Sequence, residues 1–138
     1  MPRKSILAID DEDNVRSTLA AILLQTGYRV VAVKCISSAI ESLVEDKFDL
    51  VLLDVKISDV EGLALLSNLH LVYPELPVLV MTAHPAMDIA ELVQRFGASG
   101  YFLKPIDPVQ LLDCIEKILS KPGQPLNKGI RTNSAVLF

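Results

Sequence analysis

Short apolar runs alternate along this chain with longer segments in which apolar residues recur every three or four positions. The runs lie around residues 6–9, 29–33, 50–53, 78–81 and 100–103. Runs of this length between segments of helical period are typical of strands alternating with helices in an α/β domain. In the first, third and fourth runs the apolar residues are continuous, which favours strands buried on both faces. The pattern predicts a doubly wound (βα)5 domain with a five-stranded parallel sheet.

Local signals predict where several helices begin and end. Ser38 followed by Glu41 resembles a capping box at the start of the second helix. Pro74 ends the third helix, and Asp107 before Pro108 predicts the start of the fifth. From residue 121 the composition changes to Pro, Gly, Asn, Lys and Ser without a sustained period. The expected organisation is therefore one domain over residues 1–120 and a linker or C-terminal tail over residues 121–138.

Composition excludes several classes of protein. No apolar stretch approaches the roughly 18 residues that a membrane span needs, and the start of the chain lacks the features of a secretory signal. We therefore expect a soluble, cytoplasmic protein with no membrane partner. The net charge of −4 argues against direct binding of nucleic acid, which requires clustered basic residues. Cys35 and Cys114 match no metal-ligand spacing, and their apolar neighbours predict core thiols in a reducing compartment.

Polar side chains that could take part in catalysis or ligand binding follow four of the predicted strands. Asp10 and Asp11 follow the first strand, Asp54 the third, Thr82 the fourth and Lys104 the fifth. In an open α/β sheet, ligands bind beyond the carboxyl ends of the strands. The sequence therefore predicts that these side chains share one edge of the sheet and form a site there.

The charges at this edge point to a divalent cation and to phosphate chemistry. Two carboxylates 4 Å apart repel by about 4 kcal/mol at an effective dielectric constant of 20. A hard divalent cation removes that cost, and oxygen ligands suit an open Mg²⁺ site. Beside such an ion Asp54 can attack phosphorus as a nucleophile, giving an aspartyl phosphate. Lys104 and Thr82 are available to neutralise the phosphoryl group and donate a hydrogen bond to it.

Most of these residues taken alone have an ordinary structural interpretation, but Asp54 ends a doubly buried strand, where ionised groups are seldom left unpaired. Acidic residues after a strand often begin a solvated helix, a threonine at a strand end often lies in a turn, and a lysine there often lies on the surface. The joint arrangement favours a site, because five independent coincidences at corresponding strand ends are improbable.

Segments at these strand ends resemble the receiver domains of two-component response regulators, and the resemblance covers about residues 4–120. The matching segments are Ile9–Glu12, Leu52–Val55, Glu61–Gly62, Met81–Ala83, Gly97–Ala98 and Tyr101–Pro105. Each is weakly specific alone, but their order along the chain is strongly specific. The resemblance implies a flavodoxin-like strand order of 2-1-3-4-5.

The resemblance also implies a reaction. Asp54 is expected to accept a phosphoryl group from the phosphohistidine of a sensor histidine kinase or phosphotransfer protein. Mg²⁺, or Mn²⁺ in its place, is expected on Asp11, Asp54 and the main-chain carbonyl of Lys56, with Asp10 contributing mainly through water. Such a protein is no conventional enzyme, since it catalyses only its own phosphorylation and slow dephosphorylation.

The resemblance further implies a switch. Thr82 is expected to move to the phosphoryl group, Lys104 to pair with that group, and Tyr101 to rotate inward. These movements alter the surface of the fourth helix, fifth strand and fifth helix, which acts on an output domain or target protein or forms a phosphorylation-dependent dimer. A cis peptide bond is expected before Pro105.

Three alternatives have different chemical requirements. A flavodoxin-like nucleotide carrier needs a phosphate-binding loop, whereas the loop that begins at Asp10 is acidic and repels anions. A phosphatase of the haloacid dehalogenase type needs a second acid two residues after the nucleophile, where this chain has Lys56. The third is a degenerate receiver acting as a phosphorylation-independent protein-binding module.

Overall fold

Strands and helices alternate through most of the chain in a computed structural model, which describes residues 3–55, 60–83, 87–120 and 135–138. The strands are β1 (Ser5–Ile9), β2 (Arg29–Val33), β3 (Leu50–Asp54), β4 (Val78–Thr82), β5 (Gly100–Leu103) and β6 (Ala135–Leu137). The helices are α1 (Asp13–Gln25), α2 (Ile36–Glu45), α3 (Val60–Val72), α4 (Met87–Arg95) and α5 (Pro108–Leu119).

All six strands form one sheet in the order β2-β1-β3-β4-β5-β6. The first five strands pair in parallel, which confirms the predicted fold and the order 2-1-3-4-5. Every residue of β1 and of β4 is buried, as expected for central strands covered by helices on both faces. Among the described residues, no helix combines the length and apolarity needed to cross a membrane.

Two apolar clusters cover the two faces of the sheet. One cluster joins α1 and α5 to the sheet through buried side chains that include Leu19, Phe102 and Ile115. The other contains Leu66 of α3 and Val93 of α4 on the opposite face. The sheet is therefore held rigid between two layers of helices, and its strand ends have fixed relative positions.

Helix boundaries test the predicted capping signals. Asp107 caps α5 as predicted, because its Oδ1 accepts hydrogen bonds from the main-chain N–H groups of Val109 and Gln110. The capping box at Ser38 is wrong. The second helix begins at Ile36, so that Ser38 already lies within its first turn. Cys35 is the N-cap, with extended backbone and no side-chain capping bond.

The end of the chain departs from the predicted linker or tail over residues 121–138. Residues 135–137 form β6, which pairs antiparallel with β5 and is buried along its whole length. The physical reason is that the edge of β5 presents main-chain groups and apolar surface that an apolar strand can cover. The sheet therefore has a sixth strand, and the boundary at residue 120 stays a prediction.

Leu52 in the middle of β3 provides a test of the core. Its side chain is fully buried, whereas Leu71 on α3 is 75% exposed. We expect Leu52→Ala to lower the free energy of unfolding by about 2–5 kcal/mol, because it removes buried methyl groups and leaves a cavity. Leu71→Ala should change it by less than about 0.5 kcal/mol. Urea denaturation measures both, and equal losses would contradict this description of the core.

Candidate active site

Strand register brings the predicted polar groups to one edge of the sheet. Ile9 lies opposite Leu53, so Asp10 and Asp54 both follow this pair at the ends of β1 and β3. Thr82 ends β4 opposite Leu103, which directly precedes Lys104. The ends of four neighbouring strands are therefore level, as the sequence predicts for a site at this edge.

Lys104 connects the acidic groups. Its Nζ lies 2.8 Å from Asp10 Oδ2, 3.1 Å from Asp54 Oδ1 and 3.8 Å from Glu12 Oε1. The Asp10 side chain is fully buried and that of Asp54 is 7% exposed, while that of Lys104 is 12% exposed. A single ammonium group thus bridges two nearly buried carboxylates.

These contacts shift the pKa values of both partners. Burial raises the pKa of Asp54 above its ordinary value, the charge of Asp10 raises it further, and Lys104 compensates only in part. Burial lowers the pKa of Lys104, but its hydrogen bonds to Asp10 and Asp54 outweigh burial, so the net pKa is raised. The lysine therefore stays cationic, and the Asp54 carboxylate carries a charge that is incompletely compensated.

The loop after β1 gathers further carboxylates. Asp10, Asp11 and Glu12 can each direct one oxygen into a group whose atoms lie within 4.8 Å of one another. The main-chain N–H of Glu12 donates to Asp10 Oδ1 at 2.9 Å, and Arg16 Nη1 donates to the Asp10 carbonyl at 2.8 Å. Arg16 also forms an ion pair with Asp13. The turn is thus fixed from both sides.

This donor set fits a divalent metal. It consists of carboxylate oxygens, which Mg²⁺ prefers, and one of the groups is fully buried. Asp10 and Asp11 lie in the acidic group as predicted, Glu12 joins them, and Asp54 lies across Lys104 from Asp10. The predicted carbonyl ligand of Lys56 lies outside the described residues.

Thr82 and Tyr101 lie in the adjoining strands. Thr82 is fully buried, and its carbonyl accepts a hydrogen bond from the Lys104 main chain at 2.8 Å. Tyr101 pairs with Val80 and packs on the face covered by α3 and α4. The Lys104–Pro105 peptide bond is cis.

A cavity of about 400 Å³ opens beside these groups. Asp11 and Asp54 line it together with Cys35, at the beginning of α2, and Glu61, on α3. The Asp54 carboxylate is therefore next to a space large enough for a small ligand.

Cys35 corrects one expectation and Cys114 confirms another. Cys114 is buried in the α5 core, as predicted, but Cys35 is exposed. Its Sγ lies 3.2 Å from the hydroxyl oxygens of both Ser37 and Ser38. The hydrogen bonds from these hydroxyls lower the pKa of Cys35 to about 7. Apolar neighbours predicted burial, but Cys35 lies in the turn between β2 and α2, where the chain leaves the core.

The sequence profile of the response regulator receiver domain matches residues 6–116. This chain belongs to that family. It is 36% identical over 115 residues to the transcriptional regulatory protein ZraR of Escherichia coli K12, a match covering 83% of this chain but 26% of that protein. The chain thus spans about a quarter of the length of that relative.

Two further relatives show similar coverage of this receiver domain. Sporulation initiation phosphotransferase F of Bacillus subtilis is 29% identical, with 86% of this chain and 96% of that protein aligned. A Burkholderia pseudomallei response regulator, whose crystal structure holds a phosphorylated aspartic acid, a calcium ion and citrate, is 27% identical. It superposes with a TM-score of 0.74, covering 85% of this chain and 69% of that one.

Three residues around the receiver site were absent from the predicted set. Glu12 contributes to the acidic group, Arg16 holds the turn, and Cys35 lines the cavity. The sequence carried a signal for Arg16, because an acid three positions earlier on a helix commonly pairs with an arginine. It carried none for Cys35, whose position depends on how α2 begins.

The cysteines give a prediction on pH. Because a lowered pKa increases the thiolate fraction, we expect the alkylation rate of Cys35 to reach half its maximum near pH 7. Cys114 should react slowly in the folded protein, since it is buried and its pKa is raised. Mass spectrometry after pulses of iodoacetamide measures both rates.

A variant isolates the cause of the shift at Cys35. In the double variant Ser37→Ala/Ser38→Ala, the midpoint should move upward toward 9.0, the value of a cysteine without these hydrogen bonds. An unchanged midpoint in that variant would contradict the assigned cause.

Asp54 gives a second pH prediction, for the metal-free protein. Its pKa in the folded state lies above the unfolded value of 3.8, so its contribution to stability falls as pH rises between those two values. The penalty is therefore larger at pH 7 than at pH 3.8. We expect Asp54→Asn to unfold at a higher urea concentration than wild type at pH 7, with the difference shrinking below pH 3.8.

The exposed Asp46 provides the matched control. Asp46→Asn should leave the urea midpoint unchanged across the same range. A less stable Asp54→Asn protein at pH 7 would mean that the ion pair with Lys104 outweighs the cost of burial.

Proposed function

We propose that this receiver domain accepts a phosphoryl group on Asp54 and holds it as a signal. The donor is the phosphohistidine of a sensor histidine kinase or phosphotransfer protein. The observation that carries the proposal is the pairing of Asp54 with Lys104 beside the acidic group of Asp10, Asp11 and Glu12. Asp10, Asp11 and Asp54 line one cavity, and Lys104 pairs with Asp54 beside it.

The chemical step is a displacement at phosphorus. A carboxylate oxygen of Asp54 attacks the phosphorus atom, a P–O bond forms, and the P–N bond to the donor histidine breaks. The electron pair of the broken bond stays on the imidazole nitrogen. The acyl phosphate carries more negative charge than the carboxylate, so the step depends on nearby positive charge, which Lys104 supplies beside Asp54.

The metal site supports this step electrostatically. Asp10, Asp11 and Asp54, with the main-chain carbonyl of Lys56, would hold Mg²⁺ or Mn²⁺. The bound ion supplies positive charge to a phosphoryl oxygen and offsets the repulsion among the carboxylates. Lys104 supplies a second positive charge, since its ammonium group already lies 3.1 Å from Asp54.

Phosphorylation would change the contacts of Lys104 and Thr82. Once Asp54 carries the phosphoryl group, Lys104 can pair with a phosphoryl oxygen, and the Thr82 hydroxyl can donate to another. Thr82 is fully buried and belongs to the strand beside Tyr101. Its displacement leaves space into which Tyr101 can rotate, altering the surface formed by α4, β5 and α5.

The relatives support this proposal. The Burkholderia pseudomallei structure contains a phosphorylated aspartic acid and a calcium ion, the two features proposed for this site. ZraR is a transcriptional regulatory protein, which makes an attached or separate output domain the expected target of the switch surface, alone or through a phosphorylation-dependent dimer. A phosphorylation-independent binding module receives no such support, because Asp54, Lys104 and Thr82 are all present at the site.

Phosphoryl transfer tests the proposal. With radiolabelled acetyl phosphate and Mg²⁺, or a phosphorylated histidine kinase, the wild-type protein should become labelled and Asp54→Ala should fall to background. Lys104→Ala should be labelled about 10²–10³-fold more slowly, since one charge-stabilising donor is lost. Asp113→Ala on α5 is the matched control, because Asp113 is 54% exposed and pairs only with Lys117 in the described ion pairs. Labelling that survives in Asp54→Ala would overturn the assignment.

A further inference from the structure

The segment 135–138 covers the outer edge of β5. Tyr101 lies opposite Val136, and Phe102 opposite Ala135. Ala135, Val136 and Leu137 are 3%, 8% and 2% exposed, although the segment that links them to α5 carries no predicted element. These three residues are as buried as the strands of the sheet core.

Gly100 shows that β5 is shaped to accept this strand closely. A Cβ atom at position 100 would lie 2.5 Å from the Val136 carbonyl oxygen and 2.9 Å from a methyl carbon of Leu137. Both neighbours belong to β6. The backbone of Gly100 does not have positive φ, so an alanine there is compatible with the β5 conformation. The close approach of β6 is therefore what excludes a side chain at this position.

Phe138 connects the segment to the switch residue. Its ring centroid lies 6.2 Å from that of Tyr101, with the rings tilted by 45°. Its main-chain N–H donates to the Ser99 carbonyl at 2.9 Å, which extends the pairing beyond β6. Residues 135–138 thus contact the Tyr101 ring and also pair with β5, the strand that contains Tyr101.

The other side of β6 is less completely packed. A cavity of about 290 Å³ lies between α5 and β6, lined by residues that include Val109, Cys114 and Leu137. With three residues in the ladder and a cavity on the α5 side, β6 has fewer contacts than the central strands. It is the part of the sheet suited to reversible release.

We propose that the edge of β5 is a strand-docking site and that residues 135–138 are its intramolecular ligand, bound in the unphosphorylated protein and released on phosphorylation. This inference rests on the proposed function. Inward rotation of Tyr101 removes its ring from Phe138 and disturbs the pairing with Val136. Release then presents the unpaired main-chain groups of β5 to a strand from a partner protein.

Thermodynamic linkage allows the proposal to be tested by measuring ligand affinity at the phosphorylation site. If phosphorylation weakens the docking of residues 135–138, then loss of docking must strengthen binding at the phosphorylation site by the same factor. Beryllofluoride with Mg²⁺ is a suitable probe, because it mimics a phosphoryl group and binds reversibly.

Two variants of this 138-residue chain are designed to detach β6 by different means. Gly100→Ala places a methyl group against β6, and Val136→Asp places a carboxylate in its buried contact with β5. Val44→Asp makes the same replacement at a position that is 78% exposed on α2, and it is the matched control. We expect both detaching variants, but not the control, to bind beryllofluoride about fivefold or more tightly than wild type, measured by ¹⁹F NMR.

Hydrogen exchange provides the second readout. The amides of Val136 and Phe138, which face β5, should exchange slowly in the wild type, rapidly in both detaching variants, and rapidly in the wild type once beryllofluoride is bound. Protection that persists with bound beryllofluoride, or equal affinities in all four proteins, would overturn the proposed release of residues 135–138 and leave the proposed function intact. Failure of the wild type to bind beryllofluoride or to accept a phosphoryl group would overturn the proposed function and the coupling together.

Discussion

The ion pairs of Lys104 are the constraint on which the rest of the site depends. Asp10 and Asp54 end neighbouring parallel strands at the same level, so the fold itself brings two nearly buried carboxylates together. Without a cation between them, their repulsion would oppose the register of the sheet. Lys104, placed by β5, supplies that charge and links the first, third and fifth strands of the chain. The charged groups of the candidate site are therefore also part of what holds the strand ends in place.

The same compensation bears on the proposed response of the site to phosphorylation. Lys104 satisfies two acids at once and leaves the pKa of Asp54 raised, so the resting arrangement is incompletely balanced. In the proposed reaction, a phosphoryl group on Asp54 would give the lysine a new partner and change its contact with Asp10. Because the Lys104 main chain is hydrogen-bonded to Thr82, a shift at this point reaches β4 and β5 through direct contacts.

Most of the fold and the strand-end residues could be predicted because they depend on local pattern and strand direction alone. Doubly buried strands give continuous apolar runs, and parallel strands place their carboxyl ends together. That reasoning located Asp10, Asp54, Thr82 and Lys104. It could not find the exposed thiol of Cys35, because the capping signal placed the start of the second helix at Ser38, whereas Cys35 itself is the N-cap and lies in the turn.

The sixth strand was missed for a different physical reason. A run of three or four apolar residues is too short to carry a period, and its pairing with β5 depends on an edge that other parts of the chain create. Gly100 held the relevant signal, since a missing side chain within a strand often marks close approach of another backbone. The pairing of β6 is determined mainly by the edge of β5 and less by its own sequence. Its intrinsic preference for the strand conformation therefore contributes little to its stability. Its docking depends instead on its contacts with β5, which include the pairing of Tyr101 with Val136 and the contact between the rings of Tyr101 and Phe138.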